Sequence, residues 1–118
     1  MNDIKLSDLL EMQNELFELN KNNWNPLEPE FAKDSFLWMI EEIGECISLI
    51  KKKGHEEIVT NPKIRELFME EMVDVLMYYA QVLLRMGITS EEMGNICLQK
   101  HQKNVQRNYE REYKDKFK

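Results

Sequence analysis

Five carboxylates stand out because of what surrounds them. Glu41, Glu42 and Glu45 form an EExxE pattern within FLWMIEEIGECISLIKKKG, and Glu71 and Asp74 form ExxD within EEMVDVLMYY, with 25 residues between Glu45 and Glu71. Side chains three apart on a helix lie side by side, and here the acids interrupt stripes that are otherwise apolar. Glu42 and Glu45 share a face with Trp38 and Leu49, while Glu71 and Asp74 share one with Leu67 and Tyr78. Burying ionised carboxylates without partners is prohibitively costly, and these helices carry too few Lys or Arg to neutralise four of them. A divalent cation is the economical partner, and oxygen-only ligation suits Mg2+, with Mn2+ able to substitute. A solvated acidic face would explain any one of these residues but not two matched stripes. A di-iron carboxylate bundle would need Glu-x-x-His on its metal-bearing helices, and neither His55 nor His101 is so placed.

The elements that must carry these acids are helices. Only four Gly and three Pro occur in 118 residues, and the remainder is rich in straight-chain residues that lose little rotamer freedom in a helix. Apolar spacing and punctuation predict four segments in a single domain covering 1–118. The first runs from Asp3 to Asn22 and ends in the loop Asn23 to Glu30, where Pro26 and Pro29 forbid continuation. The second spans Lys33 to Lys53, stops at Gly54 and is followed by a loop, His55 to Thr60. Asn61-Pro62 reads as an N-cap with a first-position proline and opens a third helix that closes at Gly87. Thr89-Ser90-Glu91-Glu92 is a capping box that opens the fourth, toward Tyr109. Two seams at 4-3-4-3 spacing, Phe36, Ile40, Ile43, Ile47, Ile50 and Phe68, Met72, Val75, Tyr79, Val82, Met86, favour nearly antiparallel packing in a four-helix bundle.

Composition narrows the class further. No apolar run is long enough to span a bilayer, and Met1 to Leu10 lacks the layout of a signal peptide, so a soluble cytoplasmic protein is expected. Cys46 and Cys97 are isolated and read as small reduced core residues. The net charge of −6 is uneven, because seven Lys/Arg face three Asp/Glu between Gln99 and Lys118. That basic end either complements a helix dipole or forms a phosphate-binding arm, while the acidic remainder disfavours long nucleic acid. A thin domain with helices apolar on two faces favours a homodimer or homotetramer.

On these residues, together with KHQKNVQRNY, the chain resembles the all-α nucleoside triphosphate pyrophosphohydrolase superfamily, which includes MazG-like proteins, dimeric dUTPases and dCTP pyrophosphatases. The resemblance runs from about Gln13 to Tyr109. It implies Mg2+ ligands at Glu42, Glu45, Glu71 and Asp74, with Glu41 beside Glu42 in the chemistry as a water-positioning group. It also implies a phosphate-binding set of Lys100, Lys103, Asn104, Arg107 and Tyr109, to which Lys53, or its neighbours Lys51 and Lys52, could add. The reaction implied is hydrolysis of a nucleoside triphosphate to monophosphate and pyrophosphate, as in nucleotide-pool house-cleaning.

Which base is read is less legible. Gln13 and Asn20 sit near the apolar stripe of Leu6, Leu9, Leu10, Leu16 and Phe17. Such amides either bond backbone, or each other across a subunit contact, or meet the edge of a base. Trp24, Trp38 and Tyr78 could supply stacking walls and tip the expectation toward a deoxypyrimidine, dUTP or dCTP. Two rivals stand beside this: a catalytically silent helical module that binds nucleotide or a protein partner, and an enzyme acting on a phosphoribosyl compound, against which Gln13 and Asn20 argue.

Overall fold

Local chemistry sets the helix ends. The computed structural model describes residues 2–107, 111 and 116, and among them all regular structure is helical. Helix α1 (Leu6–Asn20) opens where the Lys5 N–H donates to Asp8 Oδ2 at 3.0 Å. A 3₁₀ turn, Pro29–Phe31, leads into α2 (Ala32–Lys53). Helix α2 stops at Gly54, whose φ of +84° lies in the region glycine adopts without steric cost. Helix α4 (Pro62–Arg85) begins at an Asn61 cap whose Oδ1 accepts from the N–H groups of Lys63 and Ile64. It closes at Gly87, φ +67°, where the Ile88 N–H reaches back to the Leu83 carbonyl at 2.9 Å. The capping box forms as expected: Glu92 N–H donates to Thr89 Oγ1 and Thr89 N–H to Glu92 Oε1, opening α5 (Ser90–Gln106).

Between α2 and α4 the structure differs from the expected loop. Residues His55–Thr60 form a short helix, α3, so the described residues form five α-helices rather than the four expected. Glu56 and Glu57 in its first turn suit the positive end of the helix, Ile58 is buried, and Thr60 Oγ1 donates to the Glu56 carbonyl. Six residues are too few to display a helical period, which is why spacing did not reveal them.

Helices α2 and α4 form the main contact and run antiparallel. Ser35 meets Gln81, Trp38 meets Tyr78, and Glu42 and Glu45 meet Glu71, partners descending along α4 as they ascend along α2. The inward stripe of α2 is Ala32, Ser35, Met39, Glu42, Cys46 and Leu49, at 3-4-3-4-3 spacing. The expected seam, Phe36 to Ile50, is not this stripe. All five of its residues are exposed, Ile40 at 61 % and Ile47 at 51 %. Met72 and Met86 of the α4 seam are exposed as well, whereas Phe68, Val75, Tyr79 and Val82 are buried or half-buried. Helix α1 packs on α4 through Leu9, Gln13 and Phe17, and α5 packs on α1 and on no other element among the described residues. Cys46 is buried, but Cys97, expected in the core, is exposed on α5, which has only that one neighbour to cover it. No described helix is long and apolar enough to cross a membrane.

The radius of gyration is 17.9 Å, against about 13.5 Å for a compact chain of this length. The α2–α4 pair therefore depends on sharply defined ends, of which the Asn61 cap is the most complete. Asn61→Ala should lower stability by about 1 kcal/mol, measured as a reduced midpoint in urea with the helical circular dichroism of the folded protein unchanged.

Candidate functional site

The antiparallel register lines up two polar stripes. On α2 they are Ser35, Trp38, Glu42 and Glu45, with Lys52 two turns further on; on α4, Glu71, Asp74, Tyr78, Gln81 and Arg85 follow at three- or four-residue steps on one helical face. The carboxylates occupy the middle and the aromatic and amide groups one end.

Ligand oxygens of Glu42, Glu45 and Glu71 lie within 4.8 Å of one another. Glu42 and Glu71 each have one oxygen, Oε2, shut off from solvent that receives no hydrogen bond from any N–H or hydroxyl. No Lys or Arg among the described residues forms an ion pair with the three. Hard oxygen donors, converging, under-satisfied and without a neutralising cation, fit a divalent metal. Asp74, the fourth expected ligand, is exposed and outside this tight group, although its charge acts on both Glu42 and Glu71. Glu41 is exposed, and its charge acts on Tyr78.

The crowding has an electrostatic signature. Glu71 is pushed up to about 7, first by sharing a hydrogen bond with Glu45, then by burial and by the charges of Glu45, Glu42 and Asp74. Glu42 is raised by burial, then by the charges of Glu45 and Asp74. Burial, with the charges of Glu42 and Asp74 behind it, raises the Tyr78 phenol, which keeps its proton as a donor. Burial and the charges of Glu71 and Glu42 also raise the Cys46 thiol.

One end of the stripes opens into a cavity of about 450 Å³ lined by Phe17, Trp24, Trp38 and Tyr78, with Asn23, Asn25, Gln81 and Arg85 as its polar groups. Trp24 stands edge-on to Phe17 with centroids 5.3 Å apart, and Trp38 is tilted against Tyr78 at 6.0 Å. The three expected aromatic residues thus meet in one place. Gln13 and Asn20 do not line it. Gln13 is 2 % exposed in the α1–α4 contact, its Oε1 without a partner, and Asn20 Nδ2 donates to the Leu16 carbonyl of its own helix at 2.9 Å. A second cavity, of about 250 Å³, adjoins Glu45 and Glu71 and is lined by Lys52, which falls on the acidic face where Lys53 does not.

Lys100, Lys103 and Arg107, with Gln106, line an open groove on α5. Asn104 is half-buried with its Oδ1 enclosed, and Tyr109 lies outside the described residues. Among the described residues α5 packs on α1 alone, so Lys100 and Lys103 are not packed onto the α2–α4 acids.

Sequence reasoning missed Ser35, Gln81 and Arg85. Arg85 is 2 % exposed; its Nε donates to Ser35 Oγ at 3.0 Å, its Nη1 donates to the Pro26 carbonyl, and it lies over the Phe17 and Phe31 rings. Burial pulls this guanidinium down, opposed by the charge of Asp34. The available signal was that Gln81 and Arg85 extend the spacing of Glu71, Asp74 and Tyr78. No family model, curated protein or solved structure matches the chain.

A carboxyl whose folded pKa is raised binds protons more tightly folded than unfolded, so its contribution to stability is present at low pH and fades as pH climbs through the folded value. In a chelating buffer, thermal stability should fall as pH rises from 4.5, the ordinary value of the carboxyl, to about 7, the value of Glu71 in the folded protein. Glu71→Gln should flatten that slope, read by circular dichroism melts across the series; an unchanged slope would refute the assignment.

Proposed function

We propose that the chain is a Mg2+-dependent pyrophosphohydrolase, with Mn2+ able to substitute, that converts a (deoxy)nucleoside triphosphate and water into the monophosphate and pyrophosphate. The observation that carries this reading is the placing of an aromatic cavity and a converging carboxylate group on one face of one antiparallel helix pair. At about 1.5 Å per residue, Tyr78 stands about 10 Å along α4 from Glu71, the order of the distance from a base to its first phosphate. The likeness of EExxE and ExxD to the all-α nucleoside triphosphate pyrophosphohydrolases supports the same assignment, and the size of the cavity and its stacking walls suit a deoxypyrimidine such as dUTP or dCTP. House-cleaning of the cytoplasmic nucleotide pool is the corresponding role.

Glu42, Glu45 and Glu71 would hold the cation, with Asp74 and Glu41 at the rim. When bound there, a divalent ion supplies Lewis acidity toward phosphate oxygens and water. Trp24 and Trp38 wall the base and exclude water from it, and the Tyr78 phenol offers a hydrogen-bond donor between base and phosphates. Lys52 adds positive charge beside the acids. Lys100, Lys103, Asn104 and Arg107 are suited to gripping the leaving pyrophosphate, Arg through two oxygens at once; their place on α5 calls for a neighbouring copy to deliver them. The outward face of α2 (Phe36, Ile40, Ile43, Ile47, Ile50) supports a homodimer or homotetramer, since so long an apolar stripe left in water is the mark of an interface.

A second reading draws on that same apolar face: a silent helical module that binds nucleotide or a protein partner, giving association without product. Pyrophosphate release from a panel of dNTPs, with and without Mg2+, separates the two. Turnover is expected for at least one pyrimidine, abolished by chelator and reduced on the order of 100-fold or more by Glu42→Gln or Glu71→Gln; no turnover on any nucleotide would leave only the module. Ile43→Glu with Ile47→Glu should shift the protein to monomer in sedimentation velocity, and a wild-type protein already monomeric at micromolar concentration would contradict the shared interface.

A further inference from the structure

The polar wall of the aromatic cavity has a direction that can be worked out atom by atom. An arginine Nε carries a hydrogen and accepts nothing, so its 3.0 Å contact with Ser35 Oγ is a donation to the hydroxyl. The hydroxyl owns one proton, and its other contact is the Gln81 side chain, Oε1 at 3.1 Å. That proton runs from Ser35 to Gln81, and only the oxygen of an amide can receive it. Ser35 is fully buried and Gln81 is 8 % exposed, so water does not compete for this chain of bonds. The orientation of the amide follows: its oxygen is turned to Ser35 and its NH2 is left over. Gln81 lines the cavity, and no acceptor among the described residues takes the NH2 hydrogens. Arg85, beside it on the same wall, is donor-only as well.

We propose that Gln81 reads a carbonyl oxygen on the ligand's base, with Ser35 and Arg85 as positioning residues that hold its amide in the donating orientation. Resting on the nucleotide reading above, this assigns the cavity to oxo-substituted heterocycles such as uracil, thymine or cytosine. Adenine carries no ring carbonyl: it offers the NH2 of Gln81 only a ring nitrogen, beside an exocyclic amine that meets the donors of Gln81 and Arg85 as donor against donor, and is disfavoured. Two donors brought together where a carbonyl would have accepted lose that hydrogen bond, and this loss is the source of the discrimination.

The test uses isothermal titration of the full chain in Mg2+ with the non-hydrolysable α,β-imido analogues of dUTP and dATP, and with inorganic tripolyphosphate as a base-free probe. The wild type should favour the dUTP analogue by at least about ten-fold. Gln81→Glu, which turns the donor into an acceptor, should shrink that ratio about ten-fold or invert it, while tripolyphosphate affinity is unchanged. Ser35→Ala, which frees the amide to rotate, should also blunt the ratio, and Ser35→Thr, which keeps a hydroxyl, should restore it. Because Gln81→Glu could unfold a buried contact, the wild-type protein supplies an independent readout: the Gln81 side-chain NH2 resonances should shift when the dUTP analogue binds and not with tripolyphosphate. A folded Gln81→Glu protein with the wild-type ratio, or resonances that stay still, overturns the assignment of Gln81 while leaving the nucleotide reading intact. Failure of the wild type to bind either analogue removes the nucleotide reading and this assignment with it.

Discussion

Carboxylates facing one another across a helix pair impose the constraint around which this molecule is organised. Two antiparallel helices would ordinarily fill the seam between them with apolar side chains, and the α2–α4 seam does so at Met39, Cys46, Phe68 and Val75. At its centre it places Glu42 against Glu71, with Glu45 alongside. Like charges at this separation repel, and partial burial deepens the cost of each. Nothing basic on the same chain relieves it by an ion pair among the described residues, so the crowding pushes the Glu71 carboxyl up to about 7. The seam carries that cost because every neighbouring position is well determined: helix caps at Asn61 and Gly87, and the buried Ala32, Ser35 and Ala80 flanking the same interface.

Helix α2 resolves the demand by dividing its two faces. Its inward face sets Ser35 and Glu42 among Ala32, Met39, Cys46 and Leu49, and its outward face carries the larger apolar side chains Phe36, Ile40, Ile43, Ile47 and Ile50. An amphipathic helix in a small domain normally does the reverse. The inversion leaves a long apolar stripe in water, and the radius of gyration is 17.9 Å.

Much of this was legible in the residues. Gly54, Asn61-Pro62 and Thr89 to Glu92 act through bonds to their own neighbours, so the ends of α2, α4 and α5 could be read without tertiary knowledge. Helix α3 could not, because its six residues are held by Ile58 docking on α4 rather than by any period of their own. The Phe36 to Ile50 seam misled for a related reason: hydrophobicity reports that a face seeks a partner but not where the partner comes from. In the site, Glu42, Glu45 and Glu71 were visible because acids at helical spacing among apolar residues are conspicuous. Arg85 was hidden, since an arginine in the last turn of a helix ordinarily looks like a solvated charge on the dipole. Gln13 and Asn20 drew attention as amides on an apolar stripe, yet Asn20 answers its own backbone and Gln13 lies one turn short of the cavity that Phe17 reaches.

The two ends of the shared face are complementary in how they treat their polar groups. At the carboxylate end, oxygens are left without donors. At the cavity end, Arg85 gathers Phe17 from α1, the Pro26 carbonyl from the following loop, Phe31 from the 3₁₀ turn and Ser35 from α2. A guanidinium so enclosed loses hydration, and it recovers that loss only if all of these partners arrive together. The four segments are thereby locked to the end of α4, fixing the aromatic walls relative to the helices that carry the acids. Along one face of one helix pair, a rigid aromatic end held by Arg85 thus adjoins an acidic end whose buried oxygens have no donor.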